Sequence, residues 1–336
     1  MKTNSYIAKL AYLSKLVKIV DNGRHIMIRG RRFRKVVLYA LSPFFLLYGF
    51  MVKSAAQIRL ALLEHGVHYK YRFAVVAIAR NEADYIEEWV AYHQLIGFDC
   101  IILYDNESTD GMKERIKKYI DEGFVKYHYI KGESKQHDAY NDALLRYGNQ
   151  SKYMAFFDID EFLVSSNPDD NALDIIEGGF SKDRNIGAVG VHWYVYGSSG
   201  HVKKTDGLVM ERFLYRATSD EEQNWGIKSI VKPNCVRKYI HAHYPALLKG
   251  YYKTGLDQEI IEAYSIPIDG DQRVRFNHYI TKSLEEWTVR RSKPGGDGFI
   301  RPTADFAKHD KNEVKDEVTL YYIDKVKETM AQHRVM

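Results

Sequence analysis

Two aspartates one residue apart, Asp158 and Asp160, sit in the stretch FFDIDEFL, behind the apolar run Tyr153 to Phe157 and ahead of Phe162 to Val164. Residues i and i+2 of an extended segment point the same way, so both carboxylates are expected on one side while Ile159 turns to the core. Oxygen donors of this kind suit Mg²⁺ or Mn²⁺, which keep several waters and bind substrate phosphates at the same time. A lone DxD is more often a solvated turn, but a carboxylate pair between buried segments is costly without counter-charge, and a cation is the simplest compensation. Neither GxGxxG nor GxxxxGK[ST] occurs, so no glycine loop cradles phosphate and a metal is expected to neutralise any diphosphate.

The elements that must position these acids read as alternating short apolar runs and amphipathic helices. Phe73 to Ala79 is a short Val- and Ile-rich apolar run, the texture of a strand buried on both faces, and Cys100 to Tyr104, Val125 to Ile130 and Tyr153 to Phe157 read as further strands. Between them the pattern predicts a helix capped by Asn81 and stopped at Gly97, a second over Met112 to Asp121, and a third over His137 to Arg146. This is a β-α-β-α-β-α-β series, hence a parallel sheet with right-handed crossovers. Ligands of such sheets bind beyond the carboxyl ends of the strands. The residues found there are Arg80, Asn81 and Glu82 after the first strand, Asp105, Asn106, Ser108 and Asp110 after the second, and the DIDE acids after the fourth.

The 336 residues are 45% hydrophobic and 28% charged, which excludes a disordered, collagenous or polytopic membrane chain. Two cysteines, Cys100 and Cys235, in no metal spacing, imply neither a disulfide framework nor a zinc site and suit a reducing compartment. The net charge of +5 is unevenly spread: residues 1–70 hold 13 Lys+Arg against 2 Asp+Glu. This basic helical arm begins as an amphipathic pattern, passes Arg29 to Lys35 and enters the uncharged stretch Val36 to Val52. Seventeen residues reach only about 26 Å as a helix, short of a ~30 Å hydrocarbon core, so residues 1–52 are expected to lie on an anionic membrane surface or to pack on the main domain. Aromatics are not interleaved with the arginines, so no nucleic-acid partner is expected. The expected location is cytoplasmic, peripheral on the inner face of the plasma membrane.

ARNEADYIEEWVAYHQLIGFDCIILYDNESTDG, QHDAYNDAL and FFDIDEFL together resemble glycosyltransferase family 92 and related bacterial family 2-like glycosyltransferases. The likeness continues through WYVYGSSGH (Trp193 to His201), GIKSIVKP (Gly226 to Pro233) and FNHYITKSLEEW (Phe276 to Trp287). It implies a GT-A type α/β fold, with residues 71–165 as the nucleotide-sugar half, 166–336 as the acceptor half, and 1–70 outside it. It also implies a nucleotide-diphospho-sugar donor, UDP-sugars favoured, and a glycan or glycolipid acceptor of capsule or cell-surface synthesis. Asp158 and Asp160 would be the metal and diphosphate site, with Arg80, Asn81, Glu82 and Asp105 at the base and ribose. Gln136 and Asn141 resemble positions near the donor, although a helix-surface amide is an equal reading for Asn141. His278 is the expected third metal ligand, with His241 and His243 competing.

Lys228 and Lys282 are expected to neutralise phosphate oxygens. Inverting transfer, itself implied by the resemblance, needs a base for the acceptor hydroxyl. Glu222 is preferred over Glu221, with Asp206 and Glu211 as alternatives. Two other classes stay open: a metal-dependent nucleotidyltransferase or nuclease using the same acids, and a non-catalytic glycan-binding or membrane scaffold protein.

Overall fold

In β1 (Tyr71–Ala79), Phe73, Val75 and Ala77 pack into one core and Ala74 and Val76 into another, so the strand is covered on both faces as its unbroken apolar run requires. The computed structural model describes residues 68–248, 250–254, 258–260, 267–268, 271–292 and 302–332. The basic arm and the stretch Val36 to Val52 thus lie outside the described residues, apart from residues 68–70. Among the described residues no helix is long and apolar enough to cross a membrane.

The first half runs β1, α1 (Ile86–Leu95), β2 (Cys100–Asp105), α2 (Met112–Arg115), α3 (Lys117–Asp121), β3 (Val125–Tyr129), α4 (Gln136–Tyr147) and β4 (Ser151–Phe156). Its strands pair in parallel in the order β3-β2-β1-β4, which puts a topological switch between β1 and β4. The second half opens with β5 (Glu161–Ser165), α5 (Ala172–Lys182), β6 (Ile186–Val195), α6 (Val209–Arg212), β7 (Tyr215–Arg216) and β8 (Ile227–Val231). β8 lies between β4 and β6, antiparallel to both, so one mixed sheet runs through both halves.

The short strands β9 (Val236–Tyr239), β10 (Pro245–Leu247), β11 (Tyr251–Thr254) and β12 (Gln258–Ile260) follow, β11 and β12 extending the sheet beyond β6. β13 (Val274–His278) pairs antiparallel with β5 and parallel with β6. The chain ends with α7 (Leu284–Arg291), α8 (Phe306–His309), β14 (Val314–Lys315) and α9 (Ile323–Gln332), which packs on α1. This mixed α/β sheet flanked by helices is the architecture the sequence pattern predicts.

Two local expectations change. Asn81 does not cap α1, which begins at Ile86. Asn81 instead adopts φ 58°, a left-handed conformation asparagine tolerates, and spends its side-chain oxygen on the Thr109 N–H at 2.8 Å. The helix expected over Met112 to Asp121 is broken at Ile116, where φ −112° and ψ 13° leave the helical region.

The position of α7 is fixed by one buried carboxylate. Glu286 accepts from both Arg212 terminal nitrogens at 3.0 Å, from the Ser283 hydroxyl at 2.6 Å and from the Tyr85 hydroxyl at 2.9 Å. Burial opposes its ionisation, but Arg212 and Ser283 prevail and hold it at about 2. A depressed carboxyl stabilises the fold above its unfolded value of about 4.3, and that stability is lost as pH falls toward 2. About 3 kcal/mol of acid-sensitive stability is expected from this group. Urea midpoints measured from pH 6 to pH 2.5 should fall less steeply in Glu286→Gln than in the wild type; parallel curves would refute the assignment.

Candidate functional site

Three loops converge at the carboxyl ends of β1, β2 and β4. The turn DNESTDG after β2 is built around Asp105, which is buried and accepts from the Ser108 N–H at 2.8 Å and from the Tyr127 hydroxyl. From this frame the Ser108 hydroxyl accepts the Asn81 N–H at 2.9 Å and the Asp110 carboxylate accepts the Ala83 N–H at 2.8 Å. Asn81 and Asp105 are therefore occupied in shaping the loop after β1, on which Arg80 is exposed. Glu82 is turned inward on the same loop and meets Arg290 of α7 at 2.7 Å.

DIDE is a tight turn between β4 and β5. The Glu161 N–H donates to the Asp158 carbonyl at 3.2 Å, while the Asp158 N–H donates to the Glu161 carboxylate at 2.9 Å. The alternation of an extended segment does not apply to a turn, and the two aspartates engage different partners. Ile159 does face the core. Asp158, with 37% of its side chain exposed, accepts from Gln136 of α4 at 3.1 Å and from the Lys228 ammonium of β8 at 2.7 Å. Asp160 is buried beside His278 of β13, Oδ2 to Nε2 3.8 Å, and Arg290, 3.7 Å. Burial opposes its charge, yet His278, Arg290 and Lys282 hold it well below the usual carboxylate range.

Lys228 is 1% exposed and also reaches Glu161 at 3.5 Å. Burial disfavours its ammonium, but Asp158 and Glu161 outweigh this and raise it. Burial likewise pushes the Glu161 carboxyl up, to about 7, against the pull of Lys228. Lys282 is 4% exposed, lies over the Tyr85 ring at 4.4 Å and adopts φ 53°; burial lowers it despite Asp160 and Glu82. Neither lysine lies at the surface, so both set the field of the site from beneath.

Among the described residues no group of three or more His, Cys, Asp or Glu side chains is gathered as an ion-holding cluster. Asp158 in particular has each oxygen committed, to Gln136 and to Lys228, whereas the expected metal set needed it beside Asp160 and His278. Among the described residues the nearest approach to a cation-binding set is Asp160 with His278 and Glu161. Glu161 Oε1 is fully buried without a hydrogen-bond partner and stands 4.0 Å from His278 Nε2. Separations of 3.8 and 4.0 Å exceed hydrogen-bond length, so these side chains face one another without bonding.

The wall beside His278 is aromatic. The Trp193 ring lies 5.0 Å from His278 and 5.3 Å from His243, and its indole N–H donates to the Gln223 carbonyl at 2.6 Å. A Cβ on Gly226 would stand 1.9 Å from that ring, so only glycine lets the strand start there. This fastens the single turn 222–225 to Trp193, with Glu222 exposed on it, while Glu221 is paired with Lys311 at 2.6 Å. Of the alternative bases, Glu211 is held by Lys327 at 2.6 Å and Asp206 is exposed. His243 is pushed down to about 2, chiefly by burial with Lys228 adding to it, and no ion pair joins it to the acids among the described residues. Asn141 lashes α4 to β9, accepting the Tyr239 N–H at 2.8 Å and donating to the Tyr239 carbonyl at 3.1 Å.

Glu161 carried a signal in the sequence as the third acid of DIDE, whereas one residue at the site was missed. Arg290 carried none, because its partners Glu82 and Asp160 are more than a hundred residues away and only the β13-to-α7 fold brings them together.

A sequence profile of glycosyltransferase family 92 matches residues 73–316. A family 92 protein of Arabidopsis thaliana is 22% identical over 68% of this chain and 41% of its own length. Another, of Oryza sativa subsp. japonica, is 24% identical over 67% of this chain and 38% of its own length. The chain thus spans about two fifths of the length of these relatives. Among solved structures, S. aureus TarS 1-349 in complex with UDP-GlcNAc is similar at 12% identity and a TM-score of 0.38, over 78% of this chain and 73% of that one. Glucosyl-3-phosphoglycerate synthase from Mycobacterium tuberculosis in complex with Mg²⁺ and UDP is similar at 19% identity and a TM-score of 0.25, over 37% and 44%. On the strength of the profile, which spans the sheet and every loop that builds the site, the chain belongs to glycosyltransferase family 92.

Proposed function

We propose that the chain is a metal-dependent, inverting glycosyltransferase that moves a sugar from a nucleotide-diphospho-sugar, UDP-sugars favoured, to a glycan or glycolipid acceptor in capsule or cell-surface synthesis. The observation that carries this reading is the meeting of Glu82, Asp158, Asp160, Glu161 and His278 with three cationic side chains beyond the strand ends, in a chain of this family. The loop after β1, held rigid by the DNESTDG turn, would receive the base and ribose. Asp160, His278 and Glu161 would hold Mg²⁺ or Mn²⁺. Such an ion, when bound, supplies positive charge to the leaving diphosphate.

The chain's own residues do the rest. Lys228 fixes the carboxylates of Asp158 and Glu161 before substrate arrives, so no reorganisation is needed when charge develops. Glu222, exposed on the turn that Trp193 holds, is the base that takes the acceptor hydroxyl proton. Glu221 is a poorer base because Lys311 lowers its pKa. The arm of residues 1–52 would keep the enzyme at the inner membrane face beside a lipid-linked acceptor.

Thermal shift with UDP-, GDP- and CDP-sugars plus Mn²⁺, followed by nucleotide release from the stabilising donor, tests the reading. Glu222→Gln is expected to slow transfer about 100-fold with the donor KM unchanged. Nucleic-acid cleavage with Mn²⁺, or absence of any nucleotide-dependent stabilisation, would overturn it in favour of phosphoryl chemistry or a non-catalytic role.

A further inference from the structure

The three cations around the acids are not equivalent, and the difference assigns a task. Lys228 is buried against Asp158 and Glu161, and Lys282 is buried over the face of Tyr85. Arg290 alone of the three reaches solvent, with 48% of its side chain exposed. Its guanidinium has five N–H groups in a fixed fork. Within the described residues one of its terminal nitrogens donates to Glu82 Oε1 at 2.7 Å, and the other stands 3.7 Å from Asp160 Oδ2, beyond hydrogen-bond reach. The side chain is thus anchored on one nitrogen and open on the other, at the rim of the carboxylate cluster.

Its support is rigid. α7 starts with a reciprocal cap in which the Ser283 hydroxyl accepts the Glu286 N–H, and Glu286 is itself locked to Arg212. One turn after Glu286, Arg290 is carried to the loop after β1 and to the DIDE turn at once. A diphosphate entering beside Glu82 and Asp160 would meet two carboxylates, so it needs a donor that can turn to face it. Arg290 has the free N–H groups, the exposure and the planar geometry that match two phosphate oxygens.

We propose that Arg290 is the direct ligand of the donor's diphosphate, pivoting on Glu82 to exchange Asp160 for phosphate oxygens, while Lys228 and Lys282 act only through the field. This rests on the donor reading above and adds the residue that discriminates a nucleoside diphosphate from a monophosphate.

The test is calorimetric titration of the full chain with UDP and with UMP, Mn²⁺ present. The wild type is expected to bind UDP at least tenfold more tightly than UMP. Arg290→Met should weaken UDP about 30-fold, leave UMP within threefold, and so collapse the preference. Arg290→Lys, which keeps charge but loses the fork and serves if the methionine variant does not fold, should lose about tenfold on UDP. Glu82→Gln, which removes the pivot, should fall between Arg290→Met and the wild type. UDP binding by both Arg290 variants within threefold of the wild type would overturn the assignment while leaving the donor reading intact. So would a loss seen in Arg80→Met but in neither Arg290 variant. A wild type that binds neither nucleotide, nor GDP or CDP, would overturn the donor reading and this inference together.

Discussion

Asp160→Asn is expected to lower kcat/KM for sugar transfer about 1000-fold, a loss of about 4 kcal/mol in transition-state stabilisation. The substitution is nearly isosteric and removes one negative charge from the point where His278, Arg290 and Lys282 face each other. In the proposed reading that carboxylate is one of the ion's oxygen donors, so stabilisation by Mn²⁺ in thermal shift, expected for the wild type, should vanish in this variant. The fold itself should survive, because the backbone carbonyl of Asp160 still accepts the Tyr279 N–H at 2.8 Å. A lowered melting temperature is expected, since Asp160 is buried and its neutralisation leaves His278, Arg290 and Lys282 with less counter-charge. A variant retaining transfer within tenfold of the wild type would remove Asp160 from the centre of the mechanism.

The largest expected effect on stability belongs to Lys228→Met. The ammonium is enclosed by two carboxylates, 2.7 Å from Asp158 and 3.5 Å from Glu161. Removing one partner of a buried ion pair costs about 3–5 kcal/mol, because the remaining charge is stranded in a poor solvent. Asp158 is partly open to water, so most of the penalty should come from Glu161, whose surroundings already push its carboxyl up to about 7. Adding Glu161→Gln should therefore restore more than half of the lost stability, whereas adding Asp158→Asn should restore little. Urea denaturation of the wild type, Lys228→Met and the two double variants at pH 8 measures both differences. Equal rescue by the two partners, or a Lys228→Met midpoint equal to the wild type, would show that the cluster is not held together as described.

How far the sequence discloses this molecule depends on whether a residue answers to its neighbours in the chain or to distant partners. The strands are legible because a run such as Phe73 to Ala79 has apolar residues on both parities, which only a strand covered on both faces can bury. The turn DNESTDG is legible as a turn, yet its function of gripping Asn81 and Ala83 through Ser108, Thr109 and Asp110 is not. Asn81 misleads as a helix cap because asparagine is equally at home in a left-handed bend.

The DIDE acids are found correctly, and their directions are not. Period-two reasoning holds for a strand, and the Glu161-to-Asp158 hydrogen bonds make this segment a turn. Lys228 and Lys282 are recognised as cations of the site, but burial, which decides whether they touch a ligand, is a property of the whole fold. Arg290 depends on where β13 delivers the chain, and no local pattern encodes that.

The position of β8 constrains how the molecule can breathe. Because β8, a strand from the later part of the chain, is stitched onto β4, prising the first half from the second would tear a ladder of backbone hydrogen bonds. A jaw-like opening of the two halves is therefore costly, and in the proposed reading the admission of a sugar nucleotide and the escape of the spent diphosphate fall to peripheral loops and swinging side chains on a stiff floor.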